Sequence, residues 1–131
     1  MLRRGSPHPT ASELEILSVL WHKGPSTVRQ VHETLLADRQ TALTTTLKIL
    51  QVMTEKGLVV RTQTRPHQFT AATPQEKTQA GLLNDLVSRA FDGSVHQLLL
   101  RAVERGNLSA EELEEVRKLI DNLRNDRKGG R

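Results

Sequence analysis

The chain has 131 residues, 36% of them hydrophobic, with no cysteine and only Trp21, Phe69 and Phe91 as aromatic residues. That length suits one ordinary domain or two small ones, disulfides, thiolate metal sites and thiol catalysis are excluded, and no apolar run approaches the roughly 20 residues of a membrane span. The net charge of +4 falls wholly in residues 1–73, where nine Lys or Arg stand against five Asp or Glu, while residues 74–131 hold ten of each. A basic half joined to a charge-balanced half suits a polyanion binder with a separate assembly module, although a charge of this size is also ordinary scatter. Met1-Leu2-Arg3-Arg4-Gly5-Ser6-Pro7 carries charge with no apolar stretch behind it, so no secretory signal is expected and a soluble, cytoplasmic protein is.

Residues 1–9 are expected to be flexible. Thr10 and Glu13 have the spacing of a capping box, which predicts a helix carrying Leu14, Leu17, Leu20 and Trp21 inward. Gly24-Pro25 ends it. Ser26 is placed to cap a second helix with Val28, Val31 and Leu35 on one face, and Asp38-Arg39-Gln40 reads as a turn. A third helix is expected over 41–56, closed by Gly57 as a left-handed cap. Its apolar stripe is Leu43, Leu47, Leu50 and Met53, with Thr46 on that side; Thr44, Thr45, Lys48 and Val52 lie on the other.

The period then changes. Leu58-Val59-Val60-Arg61-Thr62 and His67-Gln68-Phe69-Thr70-Ala71 read as two strands of a hairpin around Gln63-Thr64-Arg65-Pro66, with the proline at the turn. Thr73 and Glu76 form a second box, with Pro74 at the first helical position. Helices are expected over 74–91, 95–105 and 110–125, the last opened by a Ser109–Glu112 box and each broken from the next by glycine. Their apolar positions are Leu83, Leu86 and Val87; Leu98, Leu99 and Val103; and Leu113, Val116, Leu119, Ile120 and Leu123. The tail 126–131 is basic and expected to be disordered. The fold class is therefore mainly α: a winged helix over 10–73, with three helices and a two-stranded β-wing, then a three-helix region over 74–125.

In a helix-turn-helix protein with a wing, one helix must fit the major groove and present small polar or basic side chains to it. The helix over 41–56 spans roughly 24 Å and offers Thr44, Thr45 and Lys48 on its exposed side. Threonine can bond a phosphate or touch a thymine methyl, and lysine can reach guanine or phosphate. That helix alone would equally suit a solvated face. The hairpin that follows adds Arg61, Arg65 and His67, where a wing meets the DNA backbone or minor groove. A basic helix followed by a basic wing favours double-stranded DNA as the partner. The second half has more apolar positions than three short helices can cover, which points to a homodimer formed through the positions named above.

The chain resembles the penicillinase repressor (BlaI/MecI) family of bacterial regulators from about Pro9 to Arg124. The marks are Thr10-Ala11-Ser12-Glu13-Leu14-Glu15-Ile16-Leu17 with Leu20-Trp21, then Val28-Arg29-Gln30-Val31, Ala42-Leu43-Thr44-Thr45-Thr46-Leu47-Lys48-Ile49-Leu50 and Glu55-Lys56-Gly57-Leu58-Val59. Phe91-Asp92-Gly93-Ser94 and Leu108-Ser109-Ala110-Glu111-Glu112-Leu113 complete them. The resemblance implies a dimeric repressor in which each winged helix reads half of an inverted-repeat operator and the C-terminal helices interlock. It also implies an inducing partner: studied members are cut at an Asn-Phe bond by a membrane sensor protease. Three departures stand out. Val52 occupies a position where many members carry arginine, Arg101-Ala102 replaces the cut bond, and the cysteine cluster of copper-responsive relatives is missing.

Enzyme and metal readings are weak. His8, His22, His32, His67 and His96 show no ligand spacing, and no phosphate loop, nucleophile motif or paired acid appears. No cofactor is expected. Two other readings stay open: a winged-helix protein-interaction module, which would carry an apolar or acidic patch on the third helix and wing, and a ligand-sensing regulator of the MarR-like type.

Overall fold

The first helix, α1 (Ala11–Lys23), opens on the reciprocal Thr10–Glu13 box, with Glu13 Oε1 accepting the Thr10 amide at 2.9 Å and Thr10 Oγ1 accepting the Glu13 amide at 3.2 Å. Two of the orphan donors of the first turn are thereby satisfied. Gly24, at φ 83°, ends the helix by donating its amide to the Leu20 carbonyl at 2.8 Å. The computed structural model describes residues 8–36 and 42–129. The expected turn at Asp38-Arg39-Gln40 and the expected helix start at Thr41 lie outside the described residues.

Two details differ from expectation after Pro25. Ser26 and Thr27 form a short strand, β1 (Ser26–Thr27), so the expected two-stranded wing is part of a three-stranded sheet. The cap of α2 (Val28–Leu36) is Thr27 and not Ser26: Thr27 Oγ1 accepts the Gln30 amide at 3.2 Å, and Gln30 Oε1 accepts the Thr27 amide at 2.8 Å. The Ser26 hydroxyl is buried and donates to the Gly24 carbonyl at 2.8 Å.

Helix α3 (Leu43–Lys56) closes at Gly57, whose φ of 81° is the left-handed conformation that only glycine adopts without strain. The Leu58 amide then donates back to the Met53 carbonyl at 2.9 Å. Strands β2 (Val59–Arg61) and β3 (Gln68–Ala71) follow, in the antiparallel sheet order β1-β3-β2. Val59 lies opposite Ala71, Val60 opposite Thr70, Arg61 opposite Phe69, and Ser26 opposite Phe69 on the other side.

The core is aliphatic, as the scarcity of rings requires. Ile16, Leu17 and Leu20 of α1, Val31 of α2, Leu50 and Met53 of α3, Val59 of β2 and Phe69 of β3 form one buried cluster. Each such side chain contributes about 1.5–3 kcal/mol through burial. Trp21 packs at its edge and donates its indole N–H to the Thr73 carbonyl at 2.9 Å. Leu47 departs from the expected stripe: it is exposed beside the wing.

Helix α4 (Gln75–Ala90) begins without the expected Thr73–Glu76 box. Its first amides, from Lys77 and Thr78, close on the Pro74 carbonyl at 3.1 and 3.2 Å. The chain divides into two compact units after Asp85, inside α4. Asp85 Oδ1 lies 3.8 Å from His8 Nε2, and Trp21 holds the residue two before α4, so the first turns of this helix belong with the winged helix.

The second unit holds the end of α4, α5 (Val95–Glu104) and α6 (Ala110–Gly129). Ser94 caps α5 through the Gln97 amide at 3.0 Å, and the Ser109–Glu112 box opens α6 with bonds of 2.9 and 3.0 Å. Helix α6 runs four residues beyond the expected end at 125. Arg127 and Lys128 in its last turn suit the negative end of the helix dipole, which is why a basic tail prolongs the helix here. Of the eleven positions expected at a dimer interface, Val87 is buried within its own chain, Leu98 is half-buried and the other nine are exposed. Among the described residues no helix is long and apolar enough to cross a membrane.

Candidate nucleic-acid interface

The run Thr44-Thr45-Thr46 divides by helical geometry. At about 100° per residue, Thr46 turns inward with Leu50 and Met53, and all three are buried. Its hydroxyl lies 3.1 Å from His32 Nδ1, which couples α2 to α3 through a polar contact beneath the surface. Thr44 and Thr45 face outward, and Lys48, one turn beyond Thr44, is exposed beside them. Ala42 supplies no side-chain cap at the start of α3, so this helix end lacks the hydroxyl or carboxylate that caps α1 and α6.

On the wing, Arg65 is exposed in the turn and Arg61 is exposed on β2. Because Arg61 pairs directly with Phe69, the two share one face of the sheet. Arg61 is thereby directed to the side of α3, where it lines a cleft of about 660 Å³ with Leu47, Gln51 and Glu55 of the helix and Pro66 and His67 of the wing. Arg65 does not line it. Gln51 and Glu55 escaped the sequence reading; their spacing from Leu47, four and eight residues on, is the signal that places them on one edge of the helix.

His67 occupies a different position from Arg61 and Arg65. It is half-buried, and its Nδ1 lies 2.9 Å from the Thr62 carbonyl oxygen. A carbonyl only accepts, so Nδ1 carries the proton and donates. Thr62 Oγ1 accepts the Gln68 amide at 2.9 Å, and the Thr62 amide donates to the Gln68 carbonyl at 2.9 Å. The imidazole therefore braces the base of the turn that carries Arg65.

The charges of this unit are arranged unequally. Lys56 Nζ donates to both oxygens of the buried Glu13 carboxylate, at 3.1 and 2.9 Å. Burial pushes the Glu13 carboxyl up, but the Thr10 amide and the Lys56 ammonium outweigh it and hold the group below the usual glutamate range. Lys48, Arg61 and Arg65 form no ion pair with an acid among the described residues. Among the described residues, then, α3 and the wing carry three cations without an acidic partner, Lys48 beside the outward threonines and Arg61 and Arg65 on the hairpin. Among the described residues no group of three or more His, Asp or Glu is disposed to hold a metal ion.

Comparison with known proteins identifies the family and the fold. Residues 9–122 match the family model described as penicillinase repressor. The chain is 35% identical over 114 residues to the transcriptional regulator BlaI of Mycobacterium tuberculosis (strain ATCC 25618 / H37Rv), covering 85% of this chain and 81% of that one. It is 19% identical over 113 residues to the methicillin resistance regulatory protein MecI of Staphylococcus aureus (strain N315), covering 86% of this chain and 92% of that one. A solved MarR family protein from Bacillus stearothermophilus shares the fold, with a TM-score of 0.50 at 20% identity over 94% of this chain and 77% of that one.

Proposed function

Because this chain belongs to the penicillinase repressor family of transcriptional regulators, which are not enzymes, we propose that it is a homodimeric repressor that binds an inverted-repeat operator in double-stranded DNA. Each winged helix takes one half-site. Helix α3 lies in the major groove with Thr44, Thr45 and Lys48 toward the bases and phosphates. Arg65 at the wing tip reaches the backbone or minor groove, and Arg61 meets the strand that passes between helix and wing. His67 acts by bracing the wing.

The observation that carries this reading is that Lys48, beside the outward Thr44 and Thr45, and Arg61 and Arg65 on the wing form no ion pair among the described residues. A protein-interaction module would present a continuous apolar or acidic patch on the same surface. The dimer reading draws on the nine exposed apolar positions of α4, α5 and α6, which a second copy covers by twofold pairing. Induction by cleavage is not part of the proposal: Arg101 and Ala102 stand where studied relatives are cut, and Arg101 is held to Glu104 at 2.7 Å.

The test is a gel-shift titration on the DNA upstream of the protein's own gene, with random DNA as competitor, at two salt concentrations. A single competitor-resistant complex of dimer stoichiometry is expected. Equal weak binding to both DNAs, or none, overturns the reading.

A further inference from the structure

Val52 is an apolar residue set among polar ones on the outward side of α3, while Leu47, equally exposed, lines the cleft beside the wing. The neighbours of Val52 around that outward side are Thr44, Thr45 and Lys48, all exposed. Val52 is 38% exposed and is not among the side chains packed against the core, whereas Ile49, three residues earlier, is. A β-branched residue in mid-helix gives up side-chain freedom. Here the side chain joins no core cluster among the described residues, so packing offsets that loss only in part.

Position decides what the isopropyl group meets. At about 100° and 1.5 Å per residue, Val52 lies about 20° around the helix from Thr45, about 40° from Lys48, and about 10.5 Å beyond Thr45 along the axis. That separation is close to three base-pair steps of about 3.4 Å. In the major groove the one apolar group that a base pair offers is the C5-methyl of thymine. A valine can bond to neither the phosphates nor the polar base edges, so a methyl is the group on that groove floor it can bury against.

We propose that Val52 is a specificity-determining residue that reads the methyl group of one thymine in each half-site, about three base pairs from the pair beneath Thr45. The inference rests on the DNA-binding reading above. Methylated cytosine carries the same group at the same place and is accepted there; uracil and unmodified cytosine lack it and are disfavoured.

The experiment starts from an operator obtained by selecting random DNA against the full-length protein. Each thymine is replaced singly by uracil, which removes one methyl and no hydrogen bond. Binding is measured for the wild type and for Val52→Ala, a substitution at an exposed position that raises helix propensity. At one thymine per half-site, uracil is expected to weaken the wild type by about threefold to tenfold, with no effect on Val52→Ala. Replacing that thymine–adenine pair by 5-methylcytosine–guanine is expected to bind the wild type more tightly than cytosine–guanine does, with no difference for Val52→Ala. If Val52→Ala keeps the wild-type sensitivity at every thymine, or no thymine methyl matters to the wild type, Val52 reads no methyl. If selection yields no preferred sequence at all, the operator-binding proposal fails first and takes this one with it.

Discussion

Replacing Glu13 by glutamine tests whether the contact between α1 and α3 is electrostatic in the way its geometry implies. The carboxylate is buried, accepts the Thr10 amide at 2.9 Å and takes Lys56 Nζ at 2.9 and 3.1 Å. Glutamine keeps an oxygen for Thr10 but loses the charge that faces Lys56. A hydrogen bond to a charged group nets about 1.5–3 kcal/mol. The Lys56 side chain is 37% exposed, so solvent screens the pair and the lower end applies. Glu13→Gln is therefore expected to destabilise the first unit by about 1.5 kcal/mol. Urea unfolding followed by Trp21 fluorescence reports on this unit alone, since Trp21 is the single tryptophan and is bonded to Thr73. The pH dependence gives the sign. A carboxyl held below its unfolded value of about 4.3 contributes stability that is complete above that value and disappears as pH falls through the lower, folded one. The gap between wild type and variant should thus be full at pH 7 and close in acid. A gap absent at pH 7, or equal at pH 7 and pH 3, refutes the assignment of a charged, stabilising Glu13.

Three further outcomes follow from the same structure. Lys48→Ala is expected to weaken operator binding by about 1–3 kcal/mol, read by fluorescence anisotropy over a salt series; unchanged affinity and salt slope remove Lys48 from the interface. Leu50, fully buried between helices and sheet, should cost about 2–5 kcal/mol when replaced by alanine, measured by the same urea titration; a loss below 1 kcal/mol would show that the site collapses freely. Ile120→Asp places a charge on the exposed seam of α6 and is expected to shift sedimentation from dimer toward monomer; an unaltered dimer would move the interface elsewhere.

Punctuation was the most legible layer of this sequence. The Thr10–Glu13 and Ser109–Glu112 boxes and the Gly57 cap stand where their spacing puts them, because a cap is a local device whose partners lie within a few residues. The outward placement of Thr44, Thr45 and Lys48 was legible for a similar reason: helical period alone decides it. Features decided by distant partners were not legible. Two residues of β1 are too few to show an alternation, and only Gln68 and Phe69 of β3, more than forty residues on, make them a strand. Leu47 fits the apolar stripe by spacing, yet the wing leaves its side of α3 open as a cleft. His67 reads as a wing contact to DNA until its ring is seen to hold a backbone carbonyl of its own hairpin. The division after Asp85 falls within an unbroken helix, so no glycine or proline marks it.

If the proposed dimer forms through its second unit, the repressor is tied to its own abundance. Among residues 86–129 only Val87 is buried, so this unit has scarcely any interior until another copy supplies one. Folding and pairing then draw on the same apolar surface, and dilution acts on the unit as a mild denaturant does. Each tenfold fall in concentration removes about 1.4 kcal/mol from the associated state. Because the dimer population varies with the square of free protomer, occupancy of a two-half-site operator falls faster than the protein does. Halving the concentration of a protein that pairs this way would lower operator occupancy more than twofold when occupancy is low, a threshold set by an incomplete core.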